Sequence, residues 1–236
     1  MLIARRRRSP ALGVFEMATK TTESAVMDSI QQGVRPLLKA AGFRANGRTF
    51  NRITSDRLTQ VIRFQMGSFD PPGTTYIPGL RENLYGRFTV NLGVYVPEVA
   101  RHHGGGEAGK IVQEYHCCVR ARLGEVGPEN ADLWWPLSPS DALKEEMCDR
   151  LIHHALPFLM RFESRDAILH QWASVENNQF AGSPPRIVKA IILVERGLAE
   201  EARTLLAAQA QETHNPGHPA YVRALAQRLG VGGLDA

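Results

Sequence analysis

Side chains that could take part in binding chemistry recur along three β-rich stretches of this 236-residue chain. In each stretch apolar residues alternate with polar ones, which is typical of strands with one buried and one solvated side. The polar positions contribute guanidinium, amide, phenol and imidazole groups: Arg63, Gln65, Asn91, Tyr95, His116, Arg120 and Arg122. If the three strands are neighbours in one antiparallel sheet, these seven groups lie on a common face.

Such a face would suit an anionic or peptide-like partner. Amide side chains donate and accept hydrogen bonds, and two arginines can hold a carboxylate or phosphate bidentately. Gly93 shares this side of its strand with Asn91, and a glycine inside a strand often marks the close approach of a ligand or another backbone. The alternatives are a bulge at Gly93, an Asn91 that bonds to a nearby loop, and arginines that are ordinary surface charges.

Hydrophobic periodicity predicts the elements that position this face. Apolar residues at helical spacing over 30–41 end at Gly42, which suits a left-handed helix cap. Residues 47–69 form two strand-like runs around a "TSDR" turn, and "FTVNLGVYVP" at 88–97 forms a third run. "EYHCCVRARLG" at 114–124 reads as a fourth.

Alternation within this fourth run assigns its residues to the two sides of the sheet. It places Cys117 beside Val119 on the apolar side, and His116 beside Cys118 on the polar side.

The chain is predicted to fold as an α+β protein. Its core would be a curved antiparallel sheet of four or more strands flanked by helices, with an all-helical C-terminal extension. We expect residues 1–26 to be a disordered tail or to precede the true start, 27–165 to form the α+β domain, and 166–236 to form the extension. Pro157 should bend or end the long helix that follows the sheet. The extension resembles a tetratricopeptide-type hairpin, or is a plain helical tail packed on the sheet domain.

Charge and composition narrow the classes of function. Four consecutive arginines against Glu16 give residues 1–16 a net charge of +3 out of the formal +4, so the remaining chain is nearly neutral. A folded nucleic-acid-binding protein usually carries a basic face, so nucleic acid is not an expected partner. The sequence has no apolar run of the length that spans a bilayer, and its three cysteines form no disulfide framework. We therefore expect a cytoplasmic protein with no membrane partner.

Three motifs that suggest chemistry are each incomplete. "GGGEAGKI" resembles a phosphate-binding loop, but Ile111 stands where a serine or threonine must ligate magnesium, so we interpret it as a flexible loop. The His and Cys residues at 102–103 and 116–118 lack the two- to four-residue spacing of zinc ligands. Alternation would allow His116 to activate Cys118 as a nucleophile, yet no third group orients the histidine, and a half-buried small residue is the simpler interpretation.

A succession of short motifs carries a resemblance to a known family. These are "LLKAAGFRANGRTFNR", "VIRFQMGSF", "FTVNLGVYVP", "CCVRARLG", "WWPL" and "ALPFLMRF", in that order. Over roughly residues 27–165 the chain resembles the bacterial family called domain of unknown function 4304. The residues that carry this resemblance are Gly42, Phe43, Phe50, Gln65, Asn91 to Gly93, Arg120 to Gly124, Trp135 and Pro157 to Phe162. It implies a shared domain and supplies no activity, cofactor or catalytic residue.

The function that these observations favour is a non-enzymatic module that binds a protein or peptide partner, of the adaptor or toxin-neutralising type. The alternative is an enzyme that acts on a small anionic substrate through the polar face of the sheet, with Asn91, His116, Arg120 and Arg122 as its working groups. No catalytic residue, metal ligand or cofactor is predicted.

Overall fold

A computed structural model of the chain describes residues 22–67, 83–104, 106–173, 180–211 and 217–234. Most of the predicted N-terminal tail lies outside these ranges. The first helix begins at Thr22, before the boundary predicted at residue 26, so residues 22–26 are helical. Gly42 follows this helix with a φ of +86°, the left-handed conformation that its position predicts.

Within the described residues six strands form one antiparallel sheet, which confirms the predicted fold class. The strand order is β1-β2-β3-β4-β5, and the short β6 pairs with β4 beyond the end of β5. The strand bounds are Arg44–Asn46 (β1), Thr49–Ile53 (β2), Thr59–Met66 (β3), Arg87–Tyr95 (β4), Val119–Arg122 (β5) and Trp135–Pro136 (β6). The central position of β4 makes it the strand that brings residues from β3 and β5 together.

Helices flank this sheet and form the C-terminal region. Their bounds are Thr22–Ala40 (α1), Pro97–His102 (α2), Asp141–Arg150 (α3), Leu156–Met160 (α4), Arg165–Gln171 (α5), Pro185–Glu195 (α6), Ala199–Gln211 (α7) and Gly217–Arg228 (α8). A 3₁₀ helix, Glu114–His116, lies between α2 and β5. Within the described ranges, the helices lack the combination of length and apolar composition that a bilayer-spanning segment needs.

Pro157 does not end the long helix. A π-helical turn at Leu151–Ala155 joins α3 to α4, and the Leu156 N–H donates to the Leu151 carbonyl across the wider turn. Proline has no N–H to donate, and a wider turn just before it lets the helix continue to Met160.

One face of the sheet packs into a continuous apolar core. Phe64, Phe88 and Leu92 are almost fully buried there, as their alternation predicts. Ile191 of α6 and Leu225 of α8 belong to the same apolar cluster as these strand residues. The C-terminal helices therefore pack on the same core as the sheet, which agrees with the second interpretation of the extension.

A buried ion pair fixes α2 against the sheet domain. The carboxylate of Glu98, a residue only 3% exposed, accepts hydrogen bonds from Arg165 Nε at 2.6 Å and from Arg165 Nη2 at 2.8 Å. The same arginine donates to the Asp56 carbonyl at 2.6 Å, in the turn between β2 and β3. Hydrogen bonding to Glu98 raises the pKa of Arg165 despite partial burial. Because α2 leads into the residues that cover the other sheet face, this contact also positions that cover.

Replacing Arg165 with methionine should therefore be strongly destabilising. The change leaves the Glu98 carboxylate buried without a cation, which costs about 3–5 kcal/mol of unfolding free energy in comparable cases. Arg203→Met is the matched control, because Arg203 pairs with Glu200 on the exposed surface of α7 and such pairs contribute under about 1 kcal/mol. Urea unfolding of both variants measures the difference. Equal and small losses would show that the Glu98 contact does not hold α2.

Candidate functional site

The strand register brings six of the seven sequence-predicted residues to one face of the sheet. Asn91 on β4 lies directly between Arg63 on β3 and Arg122 on β5. Gln65, Tyr95 and Arg120 fall on the same face, because residues two apart along a strand point the same way. The predicted common face is confirmed for these six residues, and the structure divides it into a covered part and an open part.

The covered part lies under the chain itself. Residues 106–118, which we call the overlying segment, cross the sheet and are held by two hydrogen bonds between Asn51 and Val112, of 2.9 and 3.1 Å. Tyr95 belongs to this part. It is 6% exposed, packs in a small apolar cluster with Val61, Val112 and others, and accepts a hydrogen bond at its hydroxyl from the Ala108 N–H. Tyr95 is therefore a support for the overlying segment and does not face the open surface.

Gly93 makes room for the overlying segment. A Cβ atom at this position would meet Cys117 Sγ at 2.7 Å and Cys117 Cβ at 2.8 Å, closer than real Cβ contacts come. Of the expected alternatives, a ligand or another part of the chain, the group that approaches Gly93 belongs to the same chain.

His116 is not on the strand that alternation assigned to it. It ends the 3₁₀ helix, and its Nδ1 accepts a hydrogen bond from the Gln113 N–H at 3.1 Å. Strand pairing begins only at Val119, so alternation does not apply to residues 116–118. His116 instead lines a separate cavity of about 200 Å³, together with His103 and Cys117.

Each of the two adjacent cysteines lies on the side of the sheet that was predicted for the other. Cys117 packs on the covered part of the polar face, whereas Cys118 lies in the main core beside Val119. Burial raises the pKa of the Cys118 thiol to about 12. A thiol that stays protonated at neutral pH is a poor nucleophile, so the suggested Cys118–His116 pair is not supported. In the parts of the chain that the structure describes, three or more His, Cys, Asp or Glu side chains do not gather as a metal site would require.

The open part of the face forms a groove of about 540 Å³, which we call the polar groove. The residues that line it come from β3, β4, β5 and three neighbouring segments, and they include Gln65, Asn91, Glu114, Arg120, Arg122, Glu125 and Gly182. Four of these were predicted from the sequence. Glu114, Glu125 and Gly182 were not, because they lie outside the strands and no periodic pattern points to them.

An amide pair forms the floor of the polar groove. Asn91 Nδ2 donates to Gln65 Oε1 at 2.7 Å, which links β4 to β3. Among the described residues, Gln65 Nε2 and Asn91 Oδ1 have no hydrogen-bond partner. The floor therefore presents one free donor and one free acceptor side by side.

Two of the arginines around the groove form ion pairs. Arg63 binds the Glu114 carboxylate at 2.7 Å and lies over the Tyr115 ring, so it holds Glu114, a lining residue of the groove, without lining the groove itself. Arg122 pairs with Asp132 and lies over the Trp134 ring, with 5.2 Å between its Cζ atom and the ring centroid.

The outer edge of β5 is closed by residues 180–182, which we call the edge strap. Arg120 N–H donates to the Phe180 carbonyl at 2.7 Å, and Gly182 N–H donates to the Cys118 carbonyl at 2.8 Å. Ala181 bridges to Val119 in antiparallel fashion. A second chain consequently cannot extend the sheet by pairing with this part of β5 unless the strap leaves.

Fold and site together define a small α+β protein with a polar groove on one sheet face. Residues 80–161 match the family model described as domain of unknown function (DUF4304). The match confirms the resemblance for this segment, which is shorter than the 27–165 predicted. It includes Asn91, Arg120 and Arg122, while Arg63 and Gln65 lie outside it. No curated protein and no solved structure gives a significant match to the chain.

Gly93→Ala should destabilise the protein, because the added methyl group meets Cys117 in a filled site. Such overpacking typically costs about 1–3 kcal/mol. Gly109→Ala is the control, since nothing lies within 4 Å of a Cβ built there. In the Cys117→Gly background the Gly93→Ala penalty should shrink, and a double-mutant cycle by urea unfolding measures this coupling. Additive losses would mean that Cys117 is not the group that excludes a side chain at Gly93.

The thiols should react in a fixed order with Ellman's reagent in the native protein. Cys148 is partly exposed and should react first, whereas Cys117 and Cys118 are buried and should react only as the protein opens. With a pKa of about 12, on the order of one Cys118 thiol in 10⁴ is ionised at pH 8, and this fraction rises with pH. A Cys148→Ser variant should lose the fast phase. A second fast thiol in that variant would restore Cys118 or Cys117 as a candidate nucleophile.

Proposed function

We propose that the polar groove binds an extended segment of a partner protein, and that the chain acts as a non-enzymatic binding module of the bacterial cytoplasm. The adaptor or toxin-neutralising type of module is the nearest analogy, and it remains an analogy because a fold of this kind hosts many functions. The free donor and acceptor on the groove floor carry this proposal.

A peptide backbone can supply hydrogen-bond partners for the two unpaired amide groups on the groove floor. Each peptide unit carries one N–H donor and one carbonyl acceptor, which complement Asn91 Oδ1 and Gln65 Nε2. Asn91 is 6% exposed and is braced by its bond to Gln65, so the pair is held in place before a ligand arrives. Groups fixed in advance lose little conformational entropy on binding, which favours affinity.

The balance of charge around the groove supports a peptide over a small anion. Three arginines, Arg63, Arg120 and Arg122, stand close to three carboxylates, Glu114, Glu125 and Asp132. A site for a dianionic substrate would normally present an excess of cations. The enzyme alternative also loses one of its four working groups, since His116 lines the neighbouring cavity.

The edge strap makes the sheet face, and not the sheet edge, the surface open to a partner. Strand addition is a common mode of peptide binding, but residues 180–182 already pair with β5 at Val119 and Arg120. The opposite edge strand, β1, has only three residues. A segment lying across β3, β4 and β5 is the arrangement that leaves both edges undisturbed.

Panning a phage-displayed library of unstructured peptides against the immobilised protein tests this proposal. Enriched peptides should bind the Asn91→Ala/Arg120→Ala variant at least about tenfold more weakly, as expected for the loss of a hydrogen bond and a charge-assisted bond. The thermal midpoint of that variant should fall by no more than about 4 °C, because Arg120 is exposed and the Gln65 amide that loses Asn91 lines the open groove, where water can bond to it. Glu201→Ala/Arg203→Ala on the exposed side of α7 is the control, and its peptide affinities should match those of the unmodified protein.

Two results would contradict the proposal. No enrichment of any peptide would argue against a peptide-binding groove. Enriched peptides that bind the Asn91→Ala/Arg120→Ala variant and the α7 control equally well would place the binding surface elsewhere on the molecule.

A further inference from the structure

Arg120 differs from the other two arginines at the polar groove. Arg63 and Arg122 each have a carboxylate partner, Glu114 and Asp132 respectively. Within the described ranges Arg120 has no carboxylate within ion-pair distance, and its guanidinium donates no hydrogen bond. It is also the exposed member of β5, whereas the Arg122 side chain is half-buried.

The edge strap holds the stem of Arg120 in a defined position. A Cβ at Gly182 would meet Arg120 Cδ at 2.7 Å and Cγ at 3.1 Å, so the arginine stem lies directly on the glycine. The strap is itself fixed by the hydrogen bond from Arg120 N–H to the Phe180 carbonyl. A long side chain that packs along its methylene groups keeps only its charged end free, and Arg120 is one of the residues that line the polar groove.

The chemistry of the surroundings selects one kind of anion. A guanidinium binds a carboxylate through two parallel hydrogen bonds. Glu114 and Glu125 line the same groove, so a dianionic phosphate would be repelled where a single carboxylate charge is balanced by Arg120. The groove thus favours a ligand with one negative charge at this point.

Two further depressions adjoin the polar groove. A depression of about 400 Å³ shares Gln65 with it on the β3 side, and one of about 320 Å³ shares Glu125 with it on the other side. A chain that lies here can continue in both directions beyond Arg120. The carboxylate would then come from a side chain within the segment and not from the end of the chain.

We propose that Arg120 is the specificity-determining residue of the polar groove, and that it binds the side-chain carboxylate of an aspartate or glutamate within the partner segment. This inference rests on the proposed function. It adds that the partner segment is acidic at one position.

Four pools of random hexapeptides built from neutral residues provide the probe, with bound peptide quantified by mass spectrometry after equilibrium dialysis. One pool is amidated and neutral, and the second is amidated with one internal glutamate. The third has no glutamate but a free C-terminal carboxylate, and the fourth is amidated with one internal phosphoserine. The unmodified protein is compared with Arg120→Gln, Arg120→Lys, Gly182→Ala and the surface control Arg203→Gln.

The unmodified protein should retain the internal-glutamate pool about tenfold more strongly than the neutral pool, as a charge-assisted pair allows. Arg120→Gln should abolish this preference, so that the glutamate pool is retained no more strongly than the neutral pool. Arg120→Lys should restore part of the preference, Gly182→Ala should reduce it by displacing the arginine, and Arg203→Gln should not change it.

Three outcomes would overturn the inference. Equal retention of the neutral and glutamate pools would refute a carboxylate site while leaving a peptide-binding groove in place. A preference for phosphoserine or for the free C terminus over internal glutamate would assign a different anion. If no pool binds and panning enriches no peptide, the proposed function fails together with the inference.

Discussion

The contact between Cys117 and Gly93 is the constraint on which the candidate site depends. Because Gly93 has no side chain, the overlying segment can settle directly on β4, where Asn51 holds it through Val112. This placement covers Tyr95 and stops short of Asn91, which lies two residues back along the same strand. The absence of a Cβ atom at Gly93 therefore sets the boundary between the covered and open parts of the face. A side chain at Gly93 would move the segment and, with it, the wall of the groove.

The groove combines a strongly polar surface with little net charge. The two paired arginines, Arg122 in the groove and Arg63 beside it, are held in place by carboxylates and aromatic rings. Partly buried ion pairs of this kind contribute modestly to stability, and their better-attested effect is to specify geometry. Among the described residues, the groups of the groove left without a partner are an amide donor, an amide acceptor and one guanidinium, that of Arg120. A small number of unpaired polar groups in a fixed arrangement favours selective binding over nonspecific binding.

Much of the sheet and half of the candidate site follow from the sequence, because side chains alternate with a period of two along a strand and β3 pairs with β4 without interruption. Asn91 and Gln65 could be assigned to one face for that reason, as could Arg120 and Arg122. His116 and Cys118 could not, because the 3₁₀ helix at Glu114–His116 breaks the alternation before β5 begins and no turn residue marks the break. The cover over Tyr95 and the pairing of Glu98 with Arg165 depend on residues far apart in the chain, and single-sequence patterns carry no information about such contacts.

The edge strap has a consequence beyond binding. Open sheet edges allow molecules of the same protein to pair strand to strand, and this is a common start of aggregation. Phe180, the first residue of the strap that shields β5, has a φ of +70°, a conformation that is unfavourable for a bulky side chain. At the far end, β1 is limited to three exposed residues, too short for a stable intermolecular ladder. The polar sheet face can thus stay exposed, because the strap on β5 and the shortness of β1 disfavour strand pairing between molecules of the protein.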